Sequence, residues 1–196
     1  PLFLGVAKMS LANASFLRMK MNAGLALIQQ AIDYLQHAGN NHVLMEAKLR
    51  LAAFSWWNLD FDGTIQTCRE VLKLGESLET SPRNLNEYLF FARHSISYSY
   101  YAKGNALRAL EYANDTYDQF YQKASTFNRM RMLNMLANTN LQAANYGKAK
   151  AFAEEGLEVA RLLENTFMKK VFLVTLSKTE TIQGCLDQAF AHASEA

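Results

Sequence analysis

The chain has 196 residues, half of them hydrophobic, and a formal charge of only +2. Such a length allows one or two domains with a large core, and no block of Lys and Arg marks a nucleic-acid or membrane surface. Its two cysteines, Cys68 and Cys185, lack the number and spacing of a zinc site and are read as small apolar residues of a cytosolic chain.

In chain order the pattern is helical throughout. The opening segment PLFLGVAKM is apolar but too short to span a bilayer. It runs into a first helix, Leu2 to Met19, with Ala23 to His37 as its partner. Gly39 supplies a C-terminal stop, and Asn41 is the expected cap of a helix running to Trp57. Asp60 or Asp62 caps the next, which ends near Gly75. The segment ETSPRN, with the only interior proline, Pro82, is the one clear break. Asn86 to Tyr101 and Asn105 to Phe120 form a third pair. Ala124 to Gln142 and the segment ANYGKAKAFAEEGLEVARLL form a fourth. Asn165 to Thr181 and the residues from Gly184 onward form a fifth. Gly104, Gly147 and Gly184 fall at corners or in first turns, where a missing side chain lets the chain bend sharply. No convincing run of strand alternation occurs. The chain opens at Pro1 and stops at Ala196 inside a helical pattern, so it is read as part of a longer protein.

The pairs repeat. With Ala149 as a phase mark, similar corners occur at Ala26, Thr64, Ala109 and Ala189, at spacings of 38, 45, 40 and 40 residues. Thirteen residues before the marks stand Asn13, Leu51, Ile96, Leu136 and Leu176. The residue after each is small: Ala14, Ala52, Ser97, Ala137 and Ser177. Four after the marks come Gln30, Cys68, Ala113, Ala153 and Ala193. On a helix such offsets share one face, and a large residue beside a small one makes a knob beside a hole. Asn13 and Gln30 make the first repeat the poorest match. The expected repeats are about 1–39, 40–79, 84–122, 123–163 and 164–196, forming a single domain.

The segments KGNALRALEYANDTY and ANYGKAKAFAEEGLEVA, with LAAFSWW and MLANTNL before their corners, resemble tetratricopeptide repeats over essentially the whole chain. The usual repeat is about 34 residues. The longer period here is similar to the variant in sensor or regulatory regions of bacterial signalling proteins, such as maltose-regulator-like activators, peptide-sensing regulators and diguanylate cyclases. The resemblance implies an all-α, right-handed α-α superhelix of about five antiparallel helix pairs, each burying its apolar face on its neighbours. It also implies that the first helix of each pair lines a concave side that holds an extended peptide or a partner helix. From the phase, that stripe falls eighteen, fifteen, eleven and eight residues before each mark. It comprises Glu46, Leu49, Ala53 and Trp56; Phe91, His94, Tyr98 and Tyr101; Arg131, Asn134, Asn138 and Leu141; and Val171, Val174, Lys178 and Thr181.

The candidate ligand residues are Trp56, Phe91, His94, Tyr98, Tyr101, Arg131, Asn134, Asn138 and Lys178. Asparagine offers a peptide backbone both a donor and an acceptor. Arginine and lysine hold carboxylates, and the aromatics give broad contact with a polar tip. Each also has a plainer reading: solvated asparagines on a long helix, a His94 bonded to a tyrosine rather than serving as a pH switch, and an aromatic run that is part core. Catalysis finds no support, since there is no Gly-rich phosphate loop, no G-x-S-x-G and no H-E-x-x-H among His37, His42, His94 and His192. Glu154 and Glu155 read as surface ion-pair partners of Lys150 and Arg161. The expectation is a non-catalytic, cytoplasmic domain without cofactor or metal, binding a protein or peptide and contacting no nucleic acid. A cyclase, kinase or DNA-binding signature is missing from these residues. A stand-alone adaptor is the alternative, and self-association as a homodimer is a third reading, because open repeat ends need polar caps or partners.

Overall fold

The computed structural model describes residues 1–78 and 84–196. The described residues form ten α-helices and one short 3-10 turn, and no strand. The helices are α1 (Leu2–Leu17), α2 (Met21–Ala38), α3 (Asn41–Trp57), α4 (Phe61–Glu76), α5 (Leu85–Ala102), α6 (Ala106–Phe120), α7 (Thr126–Gln142), α8 (Tyr146–Leu162), α9 (Thr166–Ile182) and α10 (Leu186–Glu195). The expected break at ETSPRN falls almost wholly at 79–83, outside the described residues.

Side-chain caps start many of these helices by satisfying an orphan backbone donor. Asp60 Oδ1 accepts from Gly63 N at 2.9 Å, Asn105 Oδ1 from Arg108 N at 3.2 Å and Asn165 Oδ1 from Met168 N at 3.0 Å. The cap of α3 is Asn40, whose Oδ1 accepts from Val43 N at 3.1 Å. Asn41, the expected cap, is instead the first helical residue. Gly39 ends α2 with a left-handed φ of 66°.

The corner inside every helix pair is the same turn. One residue before each second-helix cap the backbone turns left-handed: Met19 (φ 57°), Leu59 (62°), Gly104 (75°), Ala144 (60°) and Gly184 (77°). Three of the five are not glycine, so tertiary packing carries a local cost of about 1–3 kcal/mol each. Ala144 is the corner of the fourth pair, and Gly147 lies in the first turn of α8, one of the two places expected for it.

This shared corner corrects the phase of the first repeat. Four residues after the second-helix cap stand Thr64, Ala109, Ala149 and Ala189. The same count from Lys20 reaches Gly24, not Ala26. Gly24 is buried, whereas Ala26 is exposed. With Gly24 as mark, the small residue twelve before it becomes Ala12, fully buried like Ala52, Ser97 and Ala137, in place of the exposed Ala14. Four after the mark comes Ile28, fully buried like Cys68, Ala113 and Ala153. Asn13 and Gln30 therefore do not interrupt the repeat, because they belong to other columns of it.

Two compact units are present, Pro1–Ser99 and Tyr100–Ala196, and the division falls inside α5. The core of the first gathers Met9 and Ala12 of α1, Ile28, Ile32 and Leu35 of α2, and Leu44 and Phe54 of α3. Gly24 is a true contact residue there, since a Cβ on it would lie 2.4 Å from the Phe54 ring and 3.4 Å from the Ala12 carbonyl oxygen. In α4, Thr64 Oγ1 donates to the Ala52 carbonyl at 3.2 Å. The Cys68 thiol is pushed up to about 12 by burial, against a hydrogen bond to Ser95, so it stays neutral and packs as a small apolar group.

The core of the second unit gathers Met130, Leu133 and Ala137 of α7, Ala153 and Leu157 of α8, and Phe172 and Leu176 of α9. A Cβ on Gly156 would lie 2.2 Å from the Phe172 ring. Ser177 Oγ donates to the Ala189 carbonyl at 2.9 Å, tying α9 to α10. Cys185 departs from the expectation of a small apolar packing residue, for it is the exposed cap position of α10. The α10 helix is anchored by Glu180 of α9, a buried carboxylate whose Oε1 forms an ion pair with Lys150 Nζ at 2.9 Å and whose Oε2 meets His192 Nδ1 at 2.7 Å. Burial pushes this carboxyl up, but the hydrogen bonds from His192 and Lys150 together outweigh it and hold it below the ordinary 4.5.

Three outcomes follow from this packing. Gly156→Ala drives a methyl into the buried Phe172 ring and costs about 1–3 kcal/mol, whereas Gly147→Ala meets open space and stabilises by about 0.4–1 kcal/mol; urea midpoints of the two variants should move in opposite directions. Ala137→Leu overfills the α7–α8 contact at about 1–3 kcal/mol. Glu180→Gln lowers stability at pH 7 by about 1–3 kcal/mol by removing charged hydrogen bonds. Because the folded carboxyl lies below its unfolded value, that contribution is full above about pH 4.5 and fades as pH falls through the folded value. Melting curves of wild type and variant should therefore converge in acid.

Candidate functional site

In the first unit the expected stripe lies on α3 and α5. Of its members Glu46, Leu49, Trp56, Phe91 and Tyr98 are half-buried and Ala53 is exposed, while the residues on either side of them on α3, such as Ala47 and Ala52, are buried. Trp56 packs edge-on to Trp57 at 5.6 Å and to Phe61 at 6.1 Å between ring centroids. Its indole Nε1 is buried and meets no hydrogen-bond partner among the described residues. His94 is only 8% exposed and lies between Phe90 (5.4 Å) and Tyr98 (4.8 Å). It therefore supports the two aromatic rings from beneath and offers little of its own surface.

A polar cluster in this unit was not singled out in the sequence. Arg50 of α3 donates through Nη1 to Asn13 Oδ1 of α1 and through Nη2 to Glu46 Oε1, both at 2.6 Å. Its Nε is buried and unpartnered among the described residues. Tyr88 of α5 completes the cluster, its phenol pushed above the ordinary value by burial first and then by the Glu46 charge, and it packs on the His42 ring at 5.2 Å. The signal available was the Glu46–Arg50 spacing of one helical turn. With the corrected mark, Asn13 stands in the same column as Ala53, Tyr98, Asn138 and Lys178.

In the second unit the stripe lies on the end of α5, on α7 and on α9. Along α7 nearly every residue from Asn128 to Asn140 is buried except Arg129, Arg131, Asn134 and Asn138, which are half-buried. Arg131, Asn134 and Asn138, with the half-buried Leu141, therefore form the partly open edge of an otherwise enclosed helix. The Asn138 Nδ2 donates to both the backbone oxygen and the Oδ1 of Asn134, each at 2.8 Å. That bridge holds the two amides in one orientation, and the Asn138 Oδ1 accepts nothing from the described residues. Gln142 of α7 donates to the Tyr101 carbonyl at 2.9 Å, which brings the half-buried Tyr101 to the C-terminal end of the same edge. Lys178 is exposed on α9.

Arg129 has a separate task. Its Nε donates to the Tyr121 carbonyl at 2.9 Å, its Nη2 donates to the Gln122 carbonyl at 3.0 Å, and its guanidinium lies 5.5 Å from the Tyr121 ring centre. Tyr121 in turn stacks on Tyr117 at 4.3 Å and donates to Glu155 of α8. Burial first, and then the Glu155 carboxylate, push the Tyr121 phenol well above its ordinary range. These contacts lock the turn between α6 and α7, so they position the α7 edge without belonging to it.

Among the described residues no group of three or more His, Cys, Asp and Glu side chains is placed to hold a metal ion, and no helix is long and apolar enough to cross a membrane.

No family model and no curated protein matches the chain. Solved structures do. The apo form of RapI aligns with a TM-score of 0.78 at 13% identity, over 94% of this chain and 50% of that one. A signal transduction ATPase with numerous domains from Pyrococcus horikoshii, which has a tetratricopeptide repeat sensor, aligns with a TM-score of 0.80 at 16% identity, over 97% of this chain and 28% of that one. PlcR of Bacillus thuringiensis, solved in complex with the peptide PapR7 and DNA, aligns with a TM-score of 0.69 at 8% identity, over 96% of this chain and 68% of that one. The chain thus spans half or less of the length of the first two. Identities this low speak to architecture alone, and on that count the helix pairs, their common corner and their small-residue contacts agree: this chain has the all-α, tetratricopeptide-repeat-like fold.

Proposed function

We propose that the chain is a non-catalytic, protein- or peptide-binding repeat domain, the sensor or regulatory region of a cytoplasmic bacterial signalling protein. One observation carries this reading. Between Asn128 and Asn140 the α7 helix buries every residue but Arg129, Arg131, Asn134 and Asn138, and the last three lie along one partly open edge. A helix covered on most sides has no structural need for amides on its remaining face. A bridged pair of carboxamides beside a cation suits a peptide backbone and a carboxylate. The PlcR structure, with its PapR7 peptide, and the ATPase with its repeat sensor show the fold in proteins whose roles are of this kind. Tyr101 and Lys178 in the same unit as α7 would add contact area and charge for that ligand, while Trp56, Phe91 and Tyr98 give the first unit an aromatic contact surface of its own. A parent protein in which this region regulates a cyclase or a transcriptional output accounts for the resemblance to such regions. A stand-alone adaptor uses the same face without an output.

The test is selection of peptides from a displayed random library on the intact chain, followed by titration of a recovered peptide. Asn134→Ala with Asn138→Ala should weaken binding about tenfold, the equivalent of one or two net hydrogen bonds, with the melting temperature nearly unchanged. Unaltered affinity would remove α7 from the site. A sharply lower melting temperature would instead mark the asparagines as structural.

A further inference from the structure

The second helices of two successive pairs meet over the first helix that lies between them, and counting from the marks shows which residues come together there. In the second unit that place is filled. Lys150, one residue after the mark of α8, puts its ammonium 2.9 Å from Oε1 of Glu180 in α9 and 3.1 Å from Oε1 of Gln188 in α10. His192 of α10 meets the other Glu180 oxygen at 2.7 Å. The same offsets in the first unit give Leu25 of α2 for Lys150 and Ser55 of α3 for Glu180, with Gly63 and Thr67 of α4 for Gln188 and His192. Each is shorter than its counterpart.

The space they leave is a cleft of about 650 Å³ bounded by α2, α3 and α4, a size that small organic ligands occupy. Leu25, Ala26 and Leu51 give it an apolar wall. Ser55 and Thr67 line it and are only 7% and 8% exposed, yet neither hydroxyl makes a hydrogen bond among the described residues. Polar side chains so deeply buried ordinarily have partners. Asp60 is the one charged residue among the described residues that line the cleft. Its backbone N–H donates to the Ser55 carbonyl at 2.9 Å, which keeps the two residues together. Its Oδ1 accepts from Gly63 N, and a carboxylate has further acceptor sites beyond that one.

We propose that this cleft binds a small aliphatic amine, its ammonium held by the Asp60 carboxylate and the Ser55 and Thr67 hydroxyls, its stem laid along Leu25, Ala26 and Leu51. The second unit supplies the reason for a cation, since an ammonium on an aliphatic stem is what fills the same place there. The first turn of a helix by itself repels positive charge. Beside α10 the Glu180 carboxylate overcomes that repulsion for Lys150, and beside α4 the Asp60 carboxylate does so for the ligand. The site uses no residue of the α7 edge, so the peptide-binding reading can fail without affecting it.

The test is a titration of the 196-residue chain at pH 7, followed by amide proton–nitrogen correlation spectra, with n-hexylamine, n-hexanol and hexanoate as probes. Hexylamine should shift the Gly63 and Thr67 amides saturably, with a dissociation constant on the order of millimolar. Hexanol should bind about tenfold more weakly for want of the charged hydrogen bond, and hexanoate should leave both amides unmoved. Asp60→Asn removes the charge and keeps a residue that caps as well as aspartate, and it should erase the preference for hexylamine over hexanol. Leu25→Lys restores an internal ammonium at the Lys150 position and should abolish hexylamine binding. It tests the same site should the first variant lose its helical circular dichroism. Hexanol acting as strongly as hexylamine would overturn the proposal, as would hexylamine binding unchanged by either substitution. Tighter binding of Nα-acetyl-lysine methylamide than of hexylamine would also overturn it, by assigning the cleft to a lysine of a partner chain. The Asn134→Ala, Asn138→Ala protein should bind hexylamine like wild type.

Discussion

Everything in this fold depends on how closely two helices can approach at one column of small residues. Twelve residues before each mark stand Ala12, Ala52, Ser97, Ala137 and Ser177, and opposite them stand Gly24, Thr64, Ala109, Ala149 and Ala189. At such a column the backbones come near enough for a hydroxyl of one helix to reach a carbonyl of the other, as Thr64 does to Ala52 and Ser177 to Ala189. Large residues beside the column then fill the space the small ones leave, and the close fit contributes dispersion that no loosely packed pair would have. The left-handed corner belongs to the same constraint. A turn this short brings the second helix back in register with the column, and Met19, Leu59 and Ala144 accept an unfavourable φ to make it.

That rigidity has a functional consequence. When most of a first helix is buried by its neighbours, the residues left on its open edge are held in place by that packing and, for Asn134 and Asn138, by each other. In the proposed reading the half-buried Arg131, Asn134 and Asn138 would therefore meet a ligand with little conformational freedom to lose, and a few polar contacts could then give useful affinity. The polar groups are anchored differently in the first unit. There Arg50 spans α1 and α3 through Asn13 and Glu46, so its charge is spent largely inside the protein, and the accessible surface of the stripe is aromatic.

Three buried titratable groups have surroundings that explain them. Glu180 holds α10 through Lys150 and His192. Lys48 is nearly buried and pairs with Glu70 at 2.6 Å. Cys68 is kept neutral by its surroundings. None of these is arranged as a nucleophile with a base, and all sit at contacts between successive helices, where they set which helix packs on which.

Helix type, helix order and the approximate period could be read from the residues, because the apolar spacing, the capping residues and the near absence of proline act locally along the chain. Which residues of α3, α5, α7 and α9 share a helical face likewise follows from counting. Three matters were not. The phase of the first repeat was two residues out, because Gly24 and Ala26 are both small and only the contact of Gly24 with Phe54 distinguishes them. The link from Arg50 to Asn13 joins residues 37 positions apart, a distance no local pattern reports. The burial of His94 depended on Phe90 and Tyr98 closing around it. Local spacing determined what each helix would be; the proximity of segments distant in sequence decided which of its faces was covered and which was left to meet something else.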